Sequence, residues 1–220
     1  MALICVPLVE KTIRKDVKLA NSLDCDLVEV RLDYLKDASG LAEIGKIKKP
    51  VIATCMPKWE GGLFTGSEKE RLQVLESCIP YSDYVTIELE AGARLRSELI
   101  KKARKRKVKV IVASHDFRKT PQKEEILRLI KAEKKAGADI AKVAFMAKKS
   151  EDTFTLISAL AENKVKIPVI ALSMGEKGRI SRMLAPLFGS CITFAASSKA
   201  KASAPGQVTL DEIKRFRELW

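Results

Sequence analysis

Residues 108–145, VKVIVASHDFRKTPQKEEILRLIKAEKKAGADIAKVAF, hold two short β-branched apolar runs separated by an amphipathic stretch. Val108–Ala113 and Ile140–Phe145 have the length and composition of buried strands. Between them, Pro121–Ala136 places Ile126, Leu129, Ile130 and Ala136 on one helical face, with Lys and Glu opposite. Thr120-Pro121 predicts a cap residue followed by Pro at the first helical position, and Gly137 predicts the stop. The segment therefore reads strand, helix, strand. The same unit repeats in both directions, with further apolar runs at Leu3–Val6, Leu27–Val30, Val51–Thr54, Tyr84–Ile87, Val169–Leu172 and Ile192–Ala195. Successive starts lie 23 to 33 residues apart, the length of a strand, a helix and two loops. Amphipathic stretches such as Thr12–Leu23, Glu68–Ile79 and Thr153–Ala161 fill the intervals.

Eight strand candidates alternating with eight helix candidates predict an α/β fold. Two architectures satisfy that order, a closed (β/α)8 TIM barrel and an open doubly wound sheet. The count of eight favours the barrel. An open sheet normally carries a Gly-rich phosphate turn after its first strand, whereas here Val6 is followed by Pro-Leu-Val-Glu. No linker or shift in composition divides the chain, so residues 1–220 are expected to form one barrel domain.

Composition narrows the function classes. The chain carries 41 basic and 28 acidic side chains, a formal net charge of +13. No stretch approaches the ~18 uninterrupted apolar residues of a membrane span, and the start lacks the basic and long apolar regions of a secretory signal. Five scattered cysteines without a C-x-x-C pair suit a reduced cytoplasm. With a single histidine and no cysteine cluster, a zinc site has almost nothing to be built from. Two Asn and three Gln against abundant Lys and Glu resemble the bias of proteins that work hot. The run 101–109 carries seven basic residues in nine positions. Nucleic acid is one reading of it, but no aromatic interleaves the run, and a solvated helix end is the favoured one.

In a barrel, chemistry sits at the C-terminal ends of the strands. Those positions here are Glu29 and Arg31, Glu60, Glu88, His115, Lys142, Arg182, then Ser203 and Gln207. Lys142 is the sharpest, because a period of two puts Ile140, Lys142 and Ala144 on one face of a strand covered on both sides. A buried lysine is disfavoured as the ammonium, which makes a nucleophilic amine. The plainer alternative is an edge lysine that snorkels to solvent. His115 is the one imidazole available for giving and taking a proton, or else a structural hydrogen-bonder. Glu60-Gly61-Gly62 is a carboxylate before a flexible turn, Arg182 a fork for a carboxylate or a surface arginine, and residues 202–207 a loop of small residues able to cover a ligand.

Taken in order, these motifs resemble the type I 3-dehydroquinate dehydratases. The carriers are Glu29-Val30-Arg31-Leu32-Asp33, Lys58-Trp59-Glu60-Gly61-Gly62, Ser114-His115-Asp116-Phe117, Lys142 in its apolar strand, Ser181-Arg182, and Ser203-Ala204-Pro205-Gly206-Gln207. The resemblance implies that Lys142 forms an imine with the C3 ketone of 3-dehydroquinate, that His115 is the general acid/base, and that Glu60 orients it. It also implies that Arg182, Ser203 and Gln207 lie at the substrate carboxylate, and that Glu29 and Arg31 hold the ring hydroxyls. No metal and no diffusible cofactor is then required, no nucleic acid or membrane is a partner, and a cytoplasmic homodimer is expected. A Schiff-base aldolase acting on a phosphorylated sugar is the alternative within the class. One departure stands out. Many members carry an arginine four residues before the glutamate of the Glu-Gly-Gly turn, where this chain has Met56; Lys58 is the expected replacement cation.

Overall fold

The computed structural model describes residues 2–219. Eight parallel strands, β1 (Leu3–Leu8), β2 (Leu27–Arg31), β3 (Val51–Thr54), β4 (Tyr84–Glu88), β5 (Lys109–Asp116), β6 (Ile140–Met146), β7 (Val169–Met174) and β8 (Ile192–Phe194), form one sheet. Its order, β7-β6-β5-β4-β3-β2-β1-β8, curls the sheet into a barrel. The seam between β7 and β8 is closed by a bridge from Val169 to Ser190 and a Cys191 N–H bond to the Val169 carbonyl. This is the (β/α)8 barrel that the eightfold alternation predicts.

The period-two pattern sorts the side chains into two layers. Cys5, Leu27, Ile52, Ile111, Ile140, Ile170 and Ile192 point inward and plug the lower barrel. The alternate residues Ala141, Val143 and Phe145 of β6 meet Ile126 and Ile130 of α4 (Lys123–Lys135) and Leu156 of α5 (Ser150–Ala161). Every β6 side chain from Ile140 to Phe145 is buried, Lys142 included.

Three expectations need correction. Strands β5 and β7 run two to three residues beyond their apolar runs, because Ser114, His115 and Asp116 continue the ladder opposite Val143, Ala144 and Phe145. Polar residues ended the apolar run but not the pairing. The β2–β3 connection contains no α-helix, only 3-10 turns at Leu32–Tyr34 and Leu41–Lys46. Gly40 and Gly45 interrupt a stretch already too short to repay helix nucleation. Finally, α4 begins at Lys123 after Gln122, so Pro121 lies before the helix. The Thr120 hydroxyl donates to the Met146 carbonyl at 2.9 Å instead of capping, and Glu133 joins Ile126 and Ile130 on the buried face. The remaining helices are α1 (Ile13–Ser22), α2 (Glu68–Cys78), α3 (Ala93–Lys105), the short α6 (Ser181–Leu184) and α7 (Leu210–Arg217).

Candidate active site

Above the apolar plug the inward positions turn polar. Glu29 and Arg31 on β2, Thr54 on β3, His115 on β5 and Lys142 on β6 line one cavity with Met56, Arg182, Ser203 and Gln207. Lys142 is buried, its Nζ 3.6 Å from Glu29 Oε1 and 4.3 Å from the centroid of the Phe194 ring. A carboxylate and a ring face are both favourable company for a buried cation. The Thr54 hydroxyl donates to Glu29 Oε1 at 2.9 Å and fixes that carboxylate in turn. Arg31 is gripped by Asp33 through two bonds of 2.9 and 2.7 Å and lies 4.9 Å from the Tyr34 ring centroid. Burial opposes the guanidinium charge, but the Asp33 carboxylate outweighs it and raises the pKa.

His115 and Glu60 form a pair, with Nδ1 2.6 Å from Glu60 Oε2. Burial raises the Glu60 pKa to about 8. Burial, and then the nearby Lys142 charge, push His115 well below the usual imidazole range. Both shifts have burial as their leading cause and disfavour a separated carboxylate–imidazolium pair, and the short contact ties up Nδ1. With Nδ1 so engaged, Nε2 is the nitrogen left to exchange protons with a ligand. The turn that delivers Glu60 depends on a glycine: at Gly62 a Cβ would sit 2.0 Å from the Met56 carbonyl oxygen, so only a bare Cα lets the chain fold back here.

Arg182 reaches the cavity from α6 and is fully buried, which contradicts the surface reading. Its NH1 donates to the Phe194 carbonyl at 3.1 Å, and its Nε has no partner. No carboxylate pairs with it among the described residues, and burial lowers its pKa to about 10. A buried guanidinium without an anion is a costly resting arrangement that an incoming carboxylate would relieve. On the opposite loop, Gln207 Oε1 accepts from the Ser203 N–H at 2.7 Å and from its hydroxyl at 3.2 Å. That loop is pinned to the end of β7 by a Gly175 N–H bond to the Pro205 carbonyl.

Seven of the nine residues singled out at the strand ends line this cavity; Glu60 stands behind His115, and Glu88 points to Arg71 instead. Asp33 and Thr54, which hold Arg31 and Glu29, escaped notice as supports. A carboxylate two residues after Arg31, and a threonine on the inward parity of β3, were the available signals. Met56 is buried in the cavity wall, whereas Lys58 is exposed and does not line the cavity. Pro57 is extended and the following 3-10 turn carries Lys58 outward, so the expected replacement cation is not supplied there. The basic run closes α3, where Lys102 pairs with Glu76 at 2.6 Å and the cations largely face solvent. Among the described residues no group of three His, Cys, Asp or Glu side chains suits a metal ion, and no helix is long and apolar enough to cross a membrane.

A (β/α)8 barrel whose mouth holds a buried lysine, a histidine–carboxylate pair and an arginine awaiting an anion belongs with the lysine-bearing barrel enzymes. The chain is a member of the type I 3-dehydroquinase family, whose model matches residues 4–219. It is 39% identical to the 3-dehydroquinate dehydratase of Methanocaldococcus jannaschii, covering 99% of this chain and 97% of that protein. The solved 3-dehydroquinate dehydratase of Geobacillus kaustophilus superposes with a TM-score of 0.93 at 30% identity, covering 100% of this chain and 91% of that one. The type I 3-dehydroquinate dehydratase of Clostridium difficile, solved with covalently modified comenic acid, gives 0.89 at 30% identity, covering 99% and 91%.

Proposed function

We propose that this protein dehydrates 3-dehydroquinate to 3-dehydroshikimate through an imine on Lys142, in the shikimate pathway of aromatic amino-acid biosynthesis. The observation that carries the reading is one cavity holding the buried Lys142 amine, the His115–Glu60 pair and the anion-free Arg182. Arg182 takes the substrate carboxylate, with Ser203 and Gln207 closing over it, while Glu29 and Arg31 face the ring hydroxyls. An aldolase of phosphorylated sugars is disfavoured by the family match.

Lys142 enters as its ammonium and releases one proton to water; the amine adds to the C3 ketone, and the C3 oxygen takes that proton back as it leaves as water, giving a protonated imine. His115 Nε2 removes the C2 proton, and the C–H electrons move onto the imine nitrogen as a neutral enamine rather than an enolate. The enamine expels the C1 hydroxyl, which takes the proton back from His115 and leaves as water. Water then hydrolyses the imine, freeing the product and the amine. Glu60 holds the imidazole through both transfers. Each electron pair is accommodated by groups of this chain and its substrate, so the chemistry calls for no diffusible cofactor. The family resemblance carries with it one catalytic domain over residues 1–220 and a cytoplasmic homodimer. The five free cysteines agree with a reducing compartment, and light scattering on the purified protein tests the dimer.

Incubation with 3-dehydroquinate should produce the absorbance of a conjugated enone. Borohydride added during turnover should reduce the imine and leave a ligand mass on the peptide containing Lys142. Lys142→Ala should lose both signals while remaining folded. A ligand mass on any other lysine would overturn the assignment.

A further inference from the structure

Arg71 and Arg182 are the two largest fully buried side chains among the described residues. Arg182 opens on the cavity; Arg71 does not, and the mechanism above has no use for it. It sits on α2 beside the buried Leu72 and Leu75, where an apolar residue would pack. Its Nε and NH2 donate to the two oxygens of Glu68 at 3.0 and 2.9 Å. Its NH1 donates to the Cys55 carbonyl at 2.9 Å and lies 2.6 Å from Glu88 Oε2. Glu88 ends β4, is buried, and has no well-aligned hydrogen bond to either oxygen, so the Arg71 charge is what compensates it.

Two of these anchors lie on the segments that carry the acid–base pair. Cys55 follows β3 at the base of the turn that presents Glu60. Glu88 is opposite Ala113, two residues before His115. Burial raises the Glu88 pKa to about 7, with Arg71 opposing that rise and Glu60 adding to it. Glu60 in turn is drawn down by Arg71 and Lys142 and pushed up by Glu90. Arg71 thus pairs directly with Glu88 and acts on Glu60 through space. A purely structural role would be served as well by apolar packing, since replacing a buried ion pair with hydrophobic residues is often neutral for stability.

We propose that Arg71 is a positioning residue for the reaction: anchored by Cys55, Glu68 and Glu88, it holds the base of the turn that presents Glu60 and the strand end beside His115, and its charge acting through space keeps the Glu60–His115 pair in the orientation and charge state that the two proton transfers require. This rests on the reading of Glu60 and His115 as the proton-transfer pair. The charged and titratable groups that act on that pair are Arg71 on α2, Glu88 at the end of β4 and Glu90 just beyond it, Glu29 and Arg31 on β2, Lys142 on β6 and Glu133 on α4.

His115 is the only histidine, so its ring C–H signal in NMR titrates without overlap and reports on the resting protein. Glu88→Gln removes an anion beside Glu60 with little change of shape, and Arg71→Met removes the cation. The apparent pKa values of the pair, read by NMR and by the pH dependence of kcat/KM, should move down in Glu88→Gln and up in Arg71→Met, by about 0.5 to 1 unit each. Arg71→Lys, which keeps the charge, should stay near the parent profile. Should Arg71→Met fail to fold, Glu88→Gln alone carries the test, and the neutral double variant R71M/E88Q replaces it. Profiles that overlay the parent in these variants would overturn the proposal. Normal turnover in His115→Ala would instead overturn the proton-transfer reading and leave the NMR shifts standing, so the two failures are distinguishable.

Discussion

Lys142 and Arg182 are both cations kept out of water, and their surroundings differ in an instructive way. Lys142 has Glu29 at 3.6 Å and the Phe194 ring face beside it, whereas Arg182 has a single carbonyl. The anion missing from Arg182 is, on the proposed reading, the substrate's. Arg182→Met should therefore raise the melting temperature of the ligand-free protein, because it removes an uncompensated buried charge, while raising KM about ten- to a hundredfold through loss of a charge-assisted contact. A thermal melt and initial-rate kinetics on the same preparation read both effects; a lower melting temperature would show that Arg182 is already compensated. At His115, Ala should leave imine trapping by borohydride intact and slow turnover by roughly 10²–10⁴-fold, the usual worth of acid–base help. Near-normal turnover would assign the proton transfers to another group.

At the level of elements, the site is built from strand ends and two loops, and the loops depend on close backbone contact. A Cβ at Gly206 would lie 2.0 Å from the Gly175 carbonyl oxygen, and its φ of +70° is itself unfavourable for other residues. Gly206→Ala should push the loop carrying Ser203 and Gln207 off the end of β7. KM should rise while the imine-forming step at Lys142 persists, which substrate titration and borohydride trapping separate. An unchanged KM would mean that the loop contributes little to binding. The turn before Glu60 behaves differently, because it carries Lys58 away from the cavity. Lys58→Ala should accordingly leave KM for 3-dehydroquinate within about twofold, as for other exposed substitutions. A several-fold rise would show that Lys58 swings inward to the ligand and stands in for the cation absent at Met56.

At the scale of the whole molecule, four buried carboxyl groups among the described residues are shifted upward: Asp16 to about 7, Glu60 to about 8, Glu88 to about 7 and Glu133 to about 9. In each case burial is the leading cause. A raised carboxyl binds its proton more tightly folded than unfolded, so its contribution is fully present below the unfolded pKa and is lost as pH rises through the folded one. His115 has the opposite sense, since its depressed pKa favours folding once the pH exceeds the ordinary imidazole value of 6.5. The melting temperature should therefore decline steadily from about pH 6.5 to pH 9. A flat or rising profile over that range would show that these carboxyl groups are ionised in the folded protein.

The strand–helix repeat and the inward parity of Lys142 were legible in the sequence, because a backbone period of two or 3.6 imposes them locally; Glu60, Arg182, Ser203 and Gln207 were reached from their places after the strands and from the motifs, and Thr54 was not reached. Membership in the barrel class followed from counting the repeats. Local pattern failed where polarity and burial part company. Arg71 and Glu133 have the chemistry of solvated residues, yet they are buried by partners far along the chain: Arg71 by Glu88 and Cys55, and Glu133 by the Ser114 hydroxyl at 2.7 Å. The lack of an anion at Arg182 and the outward course of Lys58 are likewise invisible to spacing alone. Periodicity reports which way a side chain leaves its own element. Only the packing of elements decides what it meets, and that meeting sets the desolvation and charge balance on which the site depends.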